Sequence, residues 1–364
     1  MYRCFGHLVH KEDPKRIVQK IQPMVYIVKE YVSHAIEKID GFDFDPFTWD
    51  SHHHNKGIFS LCETIFEYEG LFTLSFIDKH KCLHFFNKMD DEYTRLSNTF
   101  HNKYHILFTL HGMFALIQRI GVFTRFEKLA LYLSALVHDM QHPGFTNRHM
   151  VMKQDKWAKI YNDQSPLENM HVFIFFHLIM TKPEYNFLSK INHHSFLRLR
   201  HIIVRNVLST DIDLHHEILA KFKNTYGYDD ANIDVLSLNT PMYRPSINVC
   251  HSSKKKMSLM QIMMKCADFS HLWARQDFYV VMIKGLEEEL LKQGDYERRK
   301  WGKVMSPMSD RKKSDCSLLK NQDSFFETMV FPLFLGLSLV CPQTTEILTR
   351  SMQNYNHIKK HVKM

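Results

Sequence analysis

The stretch Leu136–Gly144, LVHDMQHPG, sets His138 and Asp139 side by side and adds His142 before the chain turns at Pro143-Gly144. Apolar Leu136 and Val137 lead into it, so the cluster lies at the inner end of a buried segment. Ionisable groups are costly to bury unless they are paired or bind a metal. Upstream, His101 and His105 stand four apart and face the same way on a helix. Downstream, Asp268 closes the apolar run MMKCAD. Alone, each has an ordinary reading: a core or surface histidine pair, a helix cap, a salt-bridge partner. Together they make a mixed nitrogen and oxygen set that suits Zn²⁺ at one site and a harder Mg²⁺ or Mn²⁺ at a neighbouring one. Asp139 has two oxygens with which to bridge them. Such a pair converts a shared water to hydroxide near neutral pH and clamps a phosphoryl group for in-line attack.

The elements that must position these residues are helices. A stripe of Val25, Val28, Val32, Ile36 and Ile39, between Pro23 and Gly41, predicts one helix. Helical patterns also cover 58–68, 103–120, 126–140, 166–181, 195–222, 257–272, 276–293 and 323–339. No alternating strand pattern is convincing, and only 12 Gly and 11 Pro argue against a many-stranded sandwich. The chain therefore reads as all-α, a helical segment over 1–42 followed by one catalytic-sized domain over 43–364. Loops are expected over 224–256 and 298–320. The run His52-His53-His54 is a poor ligand set, because neighbouring side chains point in different directions.

The bulk numbers narrow the class. The hydrophobic fraction of 45% and charged fraction of 24% are those of a soluble globular protein. A formal charge of +8 suits an anionic substrate without requiring one. Lys254-Lys255-Lys256 and Arg311-Lys312-Lys313 read as solvated loops, and no arginine-rich arm or zinc-finger spacing points to nucleic acid. The cysteines (4, 62, 82, 250, 266, 316 and 341) are odd in number and dispersed, which fits reduced thiols and a cytoplasmic location. The amino terminus has no secretory apolar core, and the first forty or so residues leave no room for a recognisable regulatory domain. The runs HVFIFFHLIM and PLFLGLSLVC are too short to span a bilayer and read as buried helices.

The ordered blocks FHNxxH, HDxxHPG, LEN, STDIDLH, CADFSH, QGDxER, SPMSDR and NQDSFF resemble class I 3′,5′-cyclic nucleotide phosphodiesterases, within the HD-type metal phosphohydrolases. The resemblance implies a compact multi-helix bundle with a deep metal-containing pocket. It implies that His105, His138, Asp139 and Asp268 bind the tighter metal, taken as Zn²⁺, and that Asp139 also reaches Mg²⁺ or Mn²⁺. His101 matches the general acid that protonates the leaving 3′-oxygen. His142, Glu168, His171 and Asp211 match residues that orient ligands and hold water. Thr210 is equally well a structural hydroxyl at a helix end. Gln322 matches the glutamine that bonds the purine edge, and Phe325 and Leu286 match the two sides of a clamp on the base. His271, after ADFS, is similar to branches that accept both nucleotides, whereas FHN, QSPLEN and the STDIDLHHEILAKF spacing are most similar to the high-affinity cGMP-specific branch. The expectation is hydrolysis of cGMP at least as efficient as that of cAMP, with no nucleic-acid partner, no membrane span, and a homodimer left open.

Departures from the family pattern are Ile106, Phe108, Gln141, Met170, Met282 and the block EELLKQGD. None removes a metal ligand or the acid, but several thin the surrounding shell. The alternative reading is a degenerate phosphodiesterase that binds cyclic nucleotide or a protein partner without turnover. A broader phosphohydrolase acting on nucleoside monophosphates is disfavoured by the Gln322 and Phe325 pair.

Overall fold

The computed structural model describes residues 36–37, 39–95, 97–229, 252–312 and 322–362. The chain runs through α1 (Pro46–His52), α2 (Gly57–Tyr68), α3 (Lys79–Arg95), α4 (Lys103–Ile120) and α5 (Arg125–Val137). Two short helices, α6 (Asn147–Met152) and α7 (Lys156–Ile160), lead to α8 (Pro166–Thr181), α9 (His193–Leu208) and α10 (His215–Tyr226). Then come α11 (Ser253–Asp268), α12 (Gln276–Trp301), α13 (Gln322–Phe325), α14 (Phe331–Val340) and α15 (Thr345–Val362). No strand occurs among the described residues. Most of the helix expected from Pro23 lies outside them, as do most of the 224–256 loop and much of 298–320.

Three helices form the middle of the bundle. In α4 every residue from His105 to Ile117 is buried, because the sequence HILFTLHGMFALI offers almost no polar face. α5 is buried from Leu129 through Val137, and α11 from Ser258 through Ala267. α4 begins where the Asn102 side chain accepts from the Tyr104 amide at 2.9 Å and ends at Gly121, whose φ is +68°. α5 starts on a capping box formed by Thr124 and Glu127. Around these helices one cluster of buried apolar side chains runs from Ile39 to Ile358. Each large aliphatic or aromatic side chain in it adds roughly 1.5–3 kcal/mol of hydrophobic stabilisation.

Several boundaries differ from the predicted patterns. The 195–222 pattern is two helices, α9 and α10. The hydroxyls of Ser209 and Thr210 bond back to the carbonyls of Asn206 and Val207 at 2.6 and 2.8 Å, and the Asp211 side chain accepts from the Asp213 amide at 3.0 Å. Short polar side chains here compete with the helix for its backbone groups and end it. α11 begins at Ser253, so Lys254–Lys256 lie on its first turn and not in a loop. α12 continues to Trp301 and stops at Gly302, φ +71°, so the loop expected from 298 starts only there. α3 and α15 lie outside the predicted patterns. In α3 the stripe Cys82, Phe85, Phe86, Met89 and Tyr93 is buried, although acidic residues interrupt it in sequence.

The two greasy runs also differ from expectation. Phe173 and Met180 on α8 are 44% and 65% exposed. α13, a π-helical turn at Phe326–Val330 and α14 together make a 19-residue apolar helix, Gln322–Val340, which is long and apolar enough to cross a membrane by length and composition. Phe326, Val330 and Leu333 through Leu337 of it are buried in the core.

The close approach of α4 to the turn after α11 depends on Gly112. A Cβ there would lie 2.8 Å from the Ser270 Cβ and 3.2 Å from Cζ2 of the buried Trp273. Gly112→Ala is expected to destabilise the fold by about 1–3 kcal/mol through overpacking, despite alanine's better helix propensity. Thermal unfolding checks this, and a melting temperature equal to or above wild type would overturn it.

Candidate active site

Two of the three central helices end at the same point, and the third begins there. His105 is in the first turn of α4, His138 and Asp139 follow the last turn of α5, and Asp268 is the last residue of α11. The Nε2 of His105 lies 3.2 Å from Nε2 of His138, 3.1 Å from Oδ2 of Asp139 and 3.1 Å from Oδ1 of Asp268. His138 Nε2 lies 3.2 and 3.3 Å from the same two oxygens. Donors bound to one ion at ~2.0–2.2 Å, at tetrahedral or right angles, are ~2.8–3.6 Å apart. The four residues therefore fit a single cation.

The donor chemistry agrees. His138 Nδ1 donates to the Ala135 carbonyl at 2.9 Å, which leaves the Nε2 lone pair facing the cluster. Burial works against a charge on His138, but Asp139 and Asp268 lift its pKa well above the usual imidazole value, and both carboxyls are held far below theirs. The two carboxylates thus favour positive charge at this point, which a divalent metal would supply. The carboxyl ends of α5 and α11 add partial negative charge at the same spot.

His101 stands beside this set. Its Nδ1 hydrogen-bonds to Oε1 of Glu289, whose Oε2 accepts from the amides of Phe100 and His101 at 2.9 and 3.2 Å. Burial opposes charge on the imidazole, but Glu289 and then Asp139 raise its pKa to about 9. Glu289, on α12, was not among the residues singled out from sequence, although it lies in the EELLKQGD block. Gly285, one turn earlier, lets the chain before His101 lie on the helix. A Cβ there would meet the Thr99 carbonyl oxygen at 2.5 Å.

Further polar groups surround Asp139. The His142 ring stacks on His101 at 3.7 Å, and burial followed by the His101 charge keeps its pKa well below the usual value. His171 donates from Nδ1 to the Met140 carbonyl at 2.7 Å and places Nε2 3.9 Å from Oδ1 of Asp139. Its pKa is lowered by burial to about 4. His101, Asp139 and His142 form a second grouping with metal-ligand spacing. Glu168 accepts from Asn147 at 2.9 and 3.2 Å, and burial, reinforced by Asp211, raises its pKa to about 8. Asp211 accepts from the Ser165 hydroxyl at 2.6 Å. Lys265 is also buried here and donates to the Ser209 carbonyl at 2.9 Å. It was visible in sequence as a lone cation inside the MMKCAD run.

The residues expected at the base lie on α12, on α13 and in the turn after α11. Gln322 is buried, and its Oε1 accepts from the Tyr279 hydroxyl at 3.3 Å. Half-buried Phe325 packs edge-on against Phe269, centroids 5.6 Å apart, and Leu286 packs between the two apolar clusters. His271 is buried against Phe100 and His105, with ring centroids at 5.2 and 6.3 Å, so its contacts are with the His105 ring and not with Gln322. The Thr210 hydroxyl is spent on its own helix end.

The departures have structural consequences. Phe108 and Met282 share an apolar cluster with Phe100, Ala274 and Phe278, so the two changes pack together. Met170 packs with Met150 and Leu167. Gln141 sits in the left-handed region at φ +61°, between Asp139 and His142.

Residues 100–351 match the family of 3′5′-cyclic nucleotide phosphodiesterases. Over 234 residues the chain is 32% identical to cGMP-inhibited 3′,5′-cyclic phosphodiesterase 3A of Rattus norvegicus, covering 64% of this chain and 18% of that protein. Over 313 residues it is 29% identical to 3′,5′-cyclic-AMP phosphodiesterase, isoform F, of Drosophila melanogaster, covering 85% of this chain and 45% of that one. The chain thus spans less than half the length of these relatives. Its fold is that of the phosphodiesterase domain of Salpingoeca rosetta rhodopsin phosphodiesterase, with a TM-score of 0.75 at 24% identity over 89% of this chain and 92% of the other.

Two predictions follow from this geometry. Asp268→Ala removes one of four donors, so elemental analysis of the purified variant should find the tightly bound metal lost, and full occupancy would sink the assignment. Glu289→Gln removes the charge that stabilises the His101 imidazolium. The His101 titration, followed by NMR in the metal-free protein, should move to lower pH; an unmoved titration would refute the pairing.

Proposed function

The chain belongs to the 3′5′-cyclic nucleotide phosphodiesterase family, and from that premise we propose that residues 43–364 hydrolyse a purine 3′,5′-cyclic nucleotide to its 5′-monophosphate. The observation that carries this reading is the convergence of His105, His138, Asp139 and Asp268 beside a separately oriented His101. Zn²⁺ at the four-residue cluster and Mg²⁺ or Mn²⁺ beside Asp139 would supply an activated water and neutralise phosphoryl charge.

The protein's own groups divide the remaining work. His101, charged at neutral pH and fixed through Nδ1 by Glu289, donates its Nε2 proton to the departing O3′, which would otherwise leave as an alkoxide. His171, neutral with its proton on Nδ1, offers its Nε2 lone pair to a water beside Asp139, and His142, whose Nδ1 accepts from the Gly144 amide, offers an Nε2 proton to water. Glu168, protonated near neutral pH, shares the space beside Asp211 without like-charge repulsion.

Gln322 serves the base. Its amide can donate to the O6 carbonyl of guanine or, reversed, accept from the amino group of adenine, so the glutamine suits either purine. The FHN, QSPLEN and STDIDLHHEILAKF blocks support cGMP hydrolysis at least as efficient as cAMP hydrolysis, although the relatives' names include both cGMP-inhibited and cyclic-AMP phosphodiesterases. Cys62, Cys82 and Cys266 are buried free thiols, in keeping with the proposed cytoplasmic location.

A turnover assay with cAMP and cGMP, with and without added Mg²⁺, tests the proposal. No turnover of either, with binding retained, would favour the non-catalytic alternative. A tenfold preference for cAMP in kcat/KM would overturn the assigned preference. His101→Ala should keep metal and substrate but lose roughly 10²–10⁴-fold in turnover, as for a general acid. Near-native turnover in that variant would make His101 structural.

A further inference from the structure

A cavity of about 420 Å³ opens between α9, α10 and the amino-terminal ends of α5 and α11. It lies away from the metal ligands, which are at the opposite ends of α5 and α11. Its volume is within the roughly 300–1,000 Å³ typical of small-molecule sites. Arg198, Arg205, Lys221, Lys254 and Lys256 line it, with Glu127 as the one carboxylate. On α9 the lining positions 198, 201, 202 and 205 are spaced by three and four, so they form one face.

The charges here are unbalanced. Glu127 is already engaged: it accepts from Lys256 at 2.9 and 3.2 Å and from the amide and hydroxyl of Thr124 at 2.9 Å each. Arg198 reaches it only at 3.9 Å. Arg205, Lys221 and Lys254 meet no carboxylate at ion-pair distance among the described residues. The first turn of α11 compounds this. It carries three lysines at the positive end of the helix dipole, with no acidic residue and no side-chain cap. Glu127 pairs with Lys256, so Lys254 stands at this positive helix end with no anion among the described residues. Ile202, Met257 and Met260 supply an apolar wall.

We propose that this cavity is a second ligand site, for a phosphorylated small molecule whose phosphates lie on Arg205, Lys221 and Lys254 and whose apolar body lies on Ile202, Met257 and Met260. The phosphate chemistry is shared by a free metabolite and a lipid headgroup. The ligand would tie α9, α10 and α11 together without touching the residues around Asp139.

The test is titration calorimetry with tripolyphosphate in metal-free, low-salt buffer, beside flotation with phosphatidylcholine vesicles that do or do not contain phosphatidylinositol 4-phosphate. Saturable binding of either anion is expected, and Asp268→Ala should retain it because the site is remote from the metal ligands. Binding in solution identifies a free phosphate compound, and binding to the phosphoinositide vesicles alone identifies a headgroup. The double variant Arg205→Ala/Lys221→Ala, two exposed side chains, should melt as wild type yet bind about tenfold or more weakly, as for lost charged contacts. Lys254→Ala, on a different helix, should reproduce the loss. No binding of either probe, binding unchanged in these variants, or binding abolished by Asp268→Ala would each overturn the proposal.

Discussion

His105 and His138 are buried with their Nε2 atoms 3.2 Å apart, each 3.1–3.3 Å from a carboxylate oxygen of Asp139 and of Asp268, at the point where α4 begins and α5 and α11 end. Such a group is stable only when its charge is balanced, by protons or by a cation, and the rest of the bundle is arranged around that need. Helices apolar on nearly all sides carry these four side chains inward, where little water reaches them. Their termini, the only places where such helices have unpaired backbone groups, face the cluster. Gly112 lets α4 approach the turn that follows Asp268, so the packing of the core and the geometry of the ligands are one constraint.

α12 provides the second constraint. Glu289, Gln293 and Glu297 repeat every four residues on one buried face. Glu289 holds Phe100 and His101. Gln293 accepts from the Thr146 amide at 2.9 Å and donates to Glu297 at 2.8 Å, and Glu297 bonds His149 Nδ1 at 2.9 Å. One helix face thus positions both the segment that carries His101 and the segment that leaves His142. The proposed acid and the proposed metal cluster are set by different helices, so one can be altered while the other persists.

The basic cavity is built on the same helices but at their far ends. Charge near Asp139 is balanced locally, by His138, Lys265 and the protonation of Glu168. Arg205 of α9, Lys221 of α10 and Lys254 of α11 have no comparable partner among the described residues.

Sequence by itself determined the helical class and the four metal-binding candidates, because residue type and the 3.6-residue period are local properties. His105, His138, Asp139 and Asp268 are chemically unusual where they stand, at the ends of apolar runs, and that is legible without coordinates. Glu289 was not, since a glutamate among three in a polar block looks like solvated surface until a contact 188 residues away gives it His101. Lys254–Lys256 read as a loop for the same reason: a lysine run carries no periodicity, and only the neighbouring α9 and α10 show what it faces. The break at Ser209–Asp211 and the place of His271 against His105 were likewise decided by tertiary packing, which sets the partners of each polar group, where sequence sets only its chemistry.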